Sequence, residues 1–161
     1  VDITEEIPYE LPNGWSFCRL SVLCWLDDGS KHFDEVLPYL DAKYQRGNSL
    51  PTYIQEGRLI EAQSKVILVD GENSGEVFIT QERGYLGSTF KLLQSMPQVS
   101  ATWIQYVLEN YRPLLKGSKV GAAIPHLNKK LFHNLIIGLP CRKEQEFIAK
   151  QLDSLFQLIE G

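Results

Sequence analysis

The chain has 161 residues, enough for one domain and a short appendage, and its content of 43% hydrophobic and 22% charged residues is ordinary for a soluble globular protein. No apolar run approaches the roughly 20 residues that a bilayer span requires. The net charge of −4 argues mildly against nucleic-acid binding. The sequence starts at Val1 with no initiator Met and no signal-peptide pattern, so we expect a fragment or a trimmed form of a longer chain.

The cysteines and histidines predict no special chemistry. The three cysteines (Cys18, Cys24 and Cys141) are an odd and widely spaced set, which favours reduced core residues of a cytoplasmic protein over a disulfide framework. The three histidines share no metal-ligand spacing with them. We therefore expect neither a metal ion nor another cofactor.

The first part of the chain predicts short elements separated by polar turns. Residues 8–15 form a proline-rich lead-in, and residues 15–26 mix apolar and polar positions like a short strand followed by a helix. Residues 27–34 are polar and turn-rich. Residues 36–40 predict a short buried strand, and residues 44–49 predict a polar loop.

The clearest local unit is a β-hairpin at residues 65–80. Residues 66–69 and 77–80 are apolar, mostly β-branched runs, and residues 70–75 between them are a turn cluster with two glycines. The glycines of residues 84–93 predict a turn that leads into another strand.

The second part of the chain predicts helices around one strand. A helix capped by a serine is expected at residues 100–115, and Pro113 should break or kink it near its end. A basic loop at residues 117–121, a helical turn at residues 128–133 and a buried strand at residues 135–139 follow.

The end of the chain predicts an amphipathic helix, because large apolar residues recur at helical spacing: Ile148, Leu152, Leu155, Phe156 and Ile159. This helix either packs on its own domain or begins a longer helix that pairs with another one as a coiled coil. The spacing alone leaves both alternatives open.

Charge is segregated along the sequence. Residues 1–41 carry nine acids and two bases, whereas residues 110–143 carry seven bases and no acid. Such a basic stretch is the footprint of a phosphate-contacting surface. The alternative is a cluster that the fold scatters over several faces.

Catalytic motifs are absent from the sequence. An amino-directed DNA methyltransferase needs a Pro-Pro pair in its active-site tetrad, and the chain has none. The glycines of residues 71–75 and 117–119 miss the spacing of a P-loop, and residues 71–75 also miss that of a nucleophile elbow. Residues 32–35, and the acids Asp70 and Glu72, are better interpreted as polar loop residues than as acid–base or metal groups.

Five segments carry a likeness to a known family. They are IPYELPNGW at residues 7–15, LVDGENSGEVF at residues 68–78, GYLGSTFK at residues 84–91, AIPHLNKK at residues 123–130 and IIGLP at residues 136–140. Together they resemble the target-recognition domains of type I restriction–modification specificity subunits. Cys141 departs from the proline that is usual at its position in that family.

This resemblance implies a fold and a role. The fold is α/β (α+β): one globular target-recognition domain over residues 1–141, with a small, twisted, mostly antiparallel sheet and flanking helices, and then the start of a long spacer helix at residues 142–161. The chain reads one half of a bipartite site in double-stranded DNA for methyltransferase subunits, and indirectly for the restriction subunit. It has no catalytic residue, its last helix allows self-pairing, and no membrane partner is expected.

The expected DNA contacts fall into two sets. Phosphate contacts are expected from the basic stretch, at Lys116, Ser118, Lys119, His126, Lys129 and Lys130. Base contacts are expected from the polar loop and the hairpin tip, at Lys43, Tyr44, Arg46, Asn48, Asn73 and Ser74. The alternative function is a protein-interaction module that binds no DNA and assembles through its last helix. The acidic first 41 residues suit this alternative better than they suit DNA binding. A hydrolase lacks any supporting motif.

Overall fold

The computed structural model describes residues 2–121 and 123–161. Its elements, in chain order, are a 3-10 helix (Thr4–Glu6), β1 (Ser16–Arg19), α1 (Leu20–Leu23), β2 (Cys24–Asp27), β3 (Ser30–Leu40), α2 (Ala42–Gln45), β4 (Tyr53–Ile60), β5 (Lys65–Leu68), β6 (Val77–Ile79), β7 (Gly84–Leu86), β8 (Phe90–Ser95), α3 (Ala101–Gly117), α4 (Lys129–Asn134), β9 (Ile136–Leu139) and α5 (Arg142–Glu160).

The chain forms two compact units, and each is built from separate segments. Unit 1 comprises Val1–Trp25, Ser95–Asn110 and Lys129–Gly161, and unit 2 comprises Leu26–Gln94 and Tyr111–Asn128. The boundaries between them fall within β2, β8 and α3 and directly before α4. No helix among the described residues is both long and apolar enough to cross a bilayer.

Unit 1 contains a two-stranded antiparallel sheet of β1 and β9, in which Ser16 lies opposite Leu139. Gly138 in β9 allows the proline-rich lead-in to pack closely, because a Cβ at that position would lie 2.8 Å from Leu11 Cδ2. The predicted cap of α3 is confirmed, since the Ser100 hydroxyl oxygen accepts a hydrogen bond from the Trp103 amide at 3.3 Å.

Unit 2 has its core where two sheets supply apolar side chains. Its buried cluster consists of Leu40, Ile60, Val66, Leu68, Leu86 and Phe90. A four-stranded sheet has the order β2-β8-β5-β6, while β3, β4 and β7 close a small barrel. The described strand pairs are antiparallel except for β3 with β7, which is parallel. The mixed fold class with mostly antiparallel strands is thus confirmed, although the strands occupy three sheets rather than one small one.

The predicted hairpin is confirmed, because β5 and β6 pair with Val66 opposite Phe78. The predicted strand at residues 135–139 and the helical turn at residues 128–133 correspond to β9 and α4. Local composition predicts these elements well because each strand pattern is bounded by turn residues.

Four other local predictions are only partly confirmed. The predicted turn at residues 27–34 is limited to residues 28–29, because β3 starts at Ser30 and pairs with β4 despite its polar sequence. The predicted loop at residues 44–49 begins inside α2. The turn predicted within residues 84–93 leads into β8 as expected, but the strand β7 precedes it. Helix α3 continues through Pro113. Cys24 is buried as expected, but Cys141 is exposed, and all three cysteines are free.

Candidate nucleic-acid interface

Three loops of unit 2 are joined by hydrogen bonds and ion pairs. We call them the α2 loop (residues 42–50), the hairpin loop (residues 69–76) and the basic loop (the described residues of 117–126, which extend the loop predicted at residues 117–121), and together the three-loop surface. The α2 loop and the hairpin loop carry the predicted base contacts, and the basic loop carries several of the predicted phosphate contacts. Their sequence positions are far apart, so their connection is a property of the fold.

Backbone hydrogen bonds fasten the basic loop to the hairpin loop. The Gly71 amide donates to the Pro125 carbonyl at 2.7 Å, and the Leu127 amide donates to the Val69 carbonyl at 2.8 Å. Val120 and His126 exchange two further backbone hydrogen bonds, at 3.0 and 2.7 Å. The described part of the basic loop is therefore an ordered extension of the hairpin.

Two acidic residues of the hairpin loop pair with basic residues of the basic loop. Lys119 Nζ donates to Glu72 Oε2 at 2.8 Å and to the Glu72 carbonyl at 3.1 Å, while His126 Nδ1 lies 2.6 Å from Asp70 Oδ1. The hydrogen bond and charge of Lys119, with a smaller effect of Lys116, hold the pKa of Glu72 below its ordinary value. The Lys119–Glu72 pair is therefore present at neutral pH and is lost as Glu72 becomes protonated in acid.

Arg46 connects the α2 loop to the hairpin. Its Nη2 pairs with Glu76 Oε2, and its guanidinium carbon lies 5.5 Å from the centre of the Phe78 ring. Glu76 Oε2 also lies 3.5 Å from Arg112 Nη2. One carboxylate thus lies within ion-pair distance of two guanidinium groups.

The backbone of the α2 loop is ordered by its own hydrogen bonds. The Asp41 carboxylate caps α2 by accepting from the Tyr44 amide at 2.8 Å. The Gly47 amide donates to the Tyr44 carbonyl at 2.8 Å, and the Asn48 amide donates to the Lys43 carbonyl at 2.9 Å. Gly47 has a φ of 73°, in the left-handed region that favours glycine. Side chains on this loop therefore project from a fixed backbone.

The predicted phosphate contacts are divided between the two units. Lys116 is exposed, Ser118 is half-buried, and the Lys119 side chain is only 13% exposed because Glu72 pairs with it. His126 is exposed beside Asp70. Lys129 and Lys130 are exposed on the first turn of α4 and belong to unit 1, so the three-loop surface does not include them.

The predicted base contacts differ in accessibility. Lys43, Arg46 and Asn48 are exposed, whereas Tyr44 and Asn73 are half-buried. The Tyr44 hydroxyl hydrogen-bonds Glu82, which is the largest cause of a raised pKa for Tyr44. Ser74 is 1% exposed and its hydroxyl donates to the Gly71 carbonyl at 2.6 Å, so that side chain stabilises the loop from inside.

Sequence reasoning missed the acids that organise this surface. Asp70 and Glu72 were interpreted as ordinary turn residues, and Glu76 received no role, yet these three acids hold His126, Lys119 and Arg46. The available signal was a hairpin loop with three acids in a protein whose basic stretch has none. Leu50 was also missed, although it is 89% exposed at the end of the α2 loop.

Comparisons with known proteins agree with this architecture. A family model described as "Type I restriction modification DNA specificity domain" matches residues 17–161. The Type I restriction enzyme MjaVIII specificity subunit of Methanocaldococcus jannaschii is 32% identical over 160 residues, which cover 92% of this chain and 37% of that protein.

Solved structures show the same fold. A chain from a structure on complex assembly and conformational transition of the type I R-M system has a TM-score of 0.72 at 22% identity, covering 98% of this chain and 43% of that one. The HsdS subunit from Thermoanaerobacter tengcongensis has a TM-score of 0.69 at 22% identity, covering 95% and 40%. The fold is therefore that of a type I specificity-subunit domain.

The chain belongs to the family of type I restriction–modification DNA specificity domains, because the family model matches nearly all of it. The family resemblance predicted from the five sequence segments is thereby confirmed. The chain spans 37% of the length of the curated relative, so it corresponds to one part of such a protein.

Proposed function

We propose that this chain binds double-stranded DNA sequence-specifically, as one recognition half of a type I specificity subunit. It reads one half of a bipartite site for the methyltransferase subunits, and indirectly for the restriction subunit, and it contributes no catalytic residue. The relatives are named as specificity subunits and the family as a DNA specificity domain, which supports this role. A DNA substrate also implies the cytoplasm as the location.

The three-loop surface is the observation that carries this proposal. It presents exposed donors on fixed backbone, with His126 suited to phosphates and Lys43, Arg46 and Asn48 suited to base edges. The exposed Lys116, at the end of α3 directly before the basic loop, also suits a phosphate. Acidic partners offset part of the charge of the basic loop, so the proposal depends on oriented donors at this surface more than on its net charge. Lys129 and Lys130 remain proposed phosphate contacts outside it.

The proposal also divides the chain into a recognition domain at residues 1–141 and the start of a spacer helix at residues 142–161. The first half of α5 buries Gln145 and Ala149 within unit 1. Its end carries exposed apolar residues, including Leu158 at 80% and Ile159 at 78%. This pattern suits a helix that packs at its start and needs a partner further on.

The exposed end of α5 also favours the second candidate, an assembly module that binds no DNA. The two candidates are separated by a DNA-binding assay on the chain together with its methyltransferase subunits, using a duplex library in which both half-sites are randomised. Specific DNA recognition predicts enrichment of one bipartite sequence and an affinity that falls linearly with the logarithm of salt concentration. Assembly with no sequence enrichment would refute the DNA-reading proposal.

The phosphate contacts are tested by a charge-reversed variant. Lys116→Glu combined with Lys129→Glu and Lys130→Glu should lower affinity for all duplexes and reduce the slope against salt. Lys150→Glu is the single-site control, because this lysine is exposed on α5 and is not among the predicted contacts. An unchanged salt slope in the triple variant would exclude these lysines from the interface.

A further inference from the structure

Arg46 differs from an ordinary exposed arginine because three separate contacts orient it. Its amide closes the end of α2 by donating to the Ala42 carbonyl at 3.2 Å. Its Nη2 pairs with Glu76, and the Phe78 ring lies below its guanidinium carbon at 5.5 Å. A free arginine side chain loses considerable rotamer entropy when it binds, and an arginine held in place has already lost most of it.

The Arg46 side chain is more exposed than the Glu76 side chain that pairs with it. The Glu76 side chain is 17% exposed and the Arg46 side chain is 31% exposed. The carboxylate contacts only Nη2 of Arg46, and a guanidinium carries further N–H donors in one plane. The charge of Glu76 is also shared with Arg112 at 3.5 Å. The Arg46 guanidinium therefore has N–H donors that Glu76 does not occupy.

The carboxylate of Glu76 beside Arg46 favours a base edge over a phosphate as the ligand of those donors. Its negative charge disfavours close approach of a phosphate to the same guanidinium. The O6 and N7 atoms of guanine are uncharged acceptors in the major groove, spaced for the two parallel donors of a guanidinium. Lys116 has no such oriented plane and serves phosphates better.

We propose that Arg46 reads a guanine in the half-site through a bidentate contact in the major groove, and that Glu76 is the positioning residue that orients it. This inference rests on the proposed function, since it requires that the chain reads DNA. It adds to the proposed function the base that is read, guanine, and the residue that reads it, Arg46. Phe78 contributes the flat support under the guanidinium.

The test compares variants of the chain, each assembled with its methyltransferase subunits, by selection from a duplex library with randomised half-sites. Arg46→Gln should remove the preference for guanine at one half-site position and lower discrimination there by roughly 5- to 150-fold, the range for one bidentate contact. Arg46→Lys keeps the charge without the planar fork, so it should retain binding and lose the same preference. Glu76→Gln should weaken that preference while the other positions stay unchanged.

Lys116→Gln is the matched control, because it removes one exposed basic side chain directly before the basic loop. It should weaken binding to all sequences equally, reduce the salt slope by about one, and leave the selected sequence unchanged. Thermal unfolding of each variant checks that the fold is retained. If Arg46→Lys and Arg46→Gln select the same sequence as the unaltered chain, the assignment of Arg46 is overturned. If the unaltered chain itself selects no sequence, the proposed function fails instead.

Discussion

At the scale of residues, Gln145 is a buried polar side chain that joins two segments of unit 1. Its Oε1 accepts from the Ser100 amide at 2.8 Å, and its Nε2 donates to the Pro140 carbonyl at 3.1 Å. Gln145→Leu leaves both backbone groups without this partner in a buried place. We expect a loss of about 1–3 kcal/mol in the free energy of unfolding, measured by urea denaturation.

Gln151→Leu is the control for that experiment, because Gln151 is exposed on the same helix. Glutamine and leucine have similar helix propensities, so the control should change stability little. Equal effects of the two substitutions would show that the amide of Gln145 stabilises nothing.

Tyr106 gives a prediction about pH. Burial, and then the hydrogen bond of its hydroxyl to Asp153 at 2.6 Å, raise the pKa of Tyr106 to about 12. The unfolded chain ionises this group near pH 10, so its contribution to stability is present below pH 10 and declines as the pH rises towards 12. Tyr106→Phe should remove that part of the decline. A titration of tyrosinate absorbance in both proteins measures the pKa of Tyr106, and the free energy of unfolding measured against alkaline pH gives the decline in stability. Identical stability curves for the two proteins would contradict the prediction.

At the scale of elements, β7 depends on a glycine for its place in the barrel. A Cβ on Gly84 would lie 2.5 Å from the Pro38 carbonyl oxygen and 2.8 Å from Leu40 Cγ. Gly84→Ala must therefore push β7 away from β3, at an expected cost of roughly 1–3 kcal/mol or more. Gly117→Ala is the control, since a Cβ there meets nothing within 4 Å. The midpoints of urea denaturation compare the two variants. Equal midpoints would mean that the barrel accommodates the added methyl group without loss of stability.

Elements whose signals are local could be predicted from the sequence, and those that depend on distant pairing could not. The hairpin was predictable because two apolar runs flank a glycine-rich turn at residues 65–80. The polar start of β3 was not predictable, because it becomes a strand only by pairing with β4, with Lys31 opposite Arg58. Nothing in the local pattern gives the parallel pairing of β3 with β7, which joins Tyr39 to Tyr85.

The same limit applies to the candidate site. The basic stretch was visible in the sequence, but segregation of charge along a chain is not segregation in space. Lys119 meets Glu72 at a separation of 47 residues, and Arg46 meets Glu76 at a separation of 30. The sequence therefore nominated residues of the three-loop surface without the acids that orient them, and it included Ser74, which the fold buries.

At the scale of the whole molecule, the end of α5 predicts concentration-dependent association. Leu155, Leu158 and Ile159 are each more than half exposed, and apolar side chains at spacings of three and four residues lie on one face of a helix and favour a helical partner. We expect the chain alone to self-associate, and the double variant Leu158→Glu with Ile159→Glu to be monomeric in sedimentation. Gln151→Glu and Gln157→Glu together add the same charge to the same helix and should preserve association. A monomeric unaltered chain would contradict this expectation.

The pairs that join the three-loop surface also limit how a recognition preference can be inherited. Acidic side chains encoded by one segment of the gene pair with basic side chains encoded by two other segments, one before it and one after it. A short recombination event that replaces only the hairpin loop would separate each carboxylate from the basic side chain with which it evolved. New preferences should therefore pass between relatives as one uninterrupted exchange from the α2 loop to the basic loop, or arise by compensating changes in two segments at once.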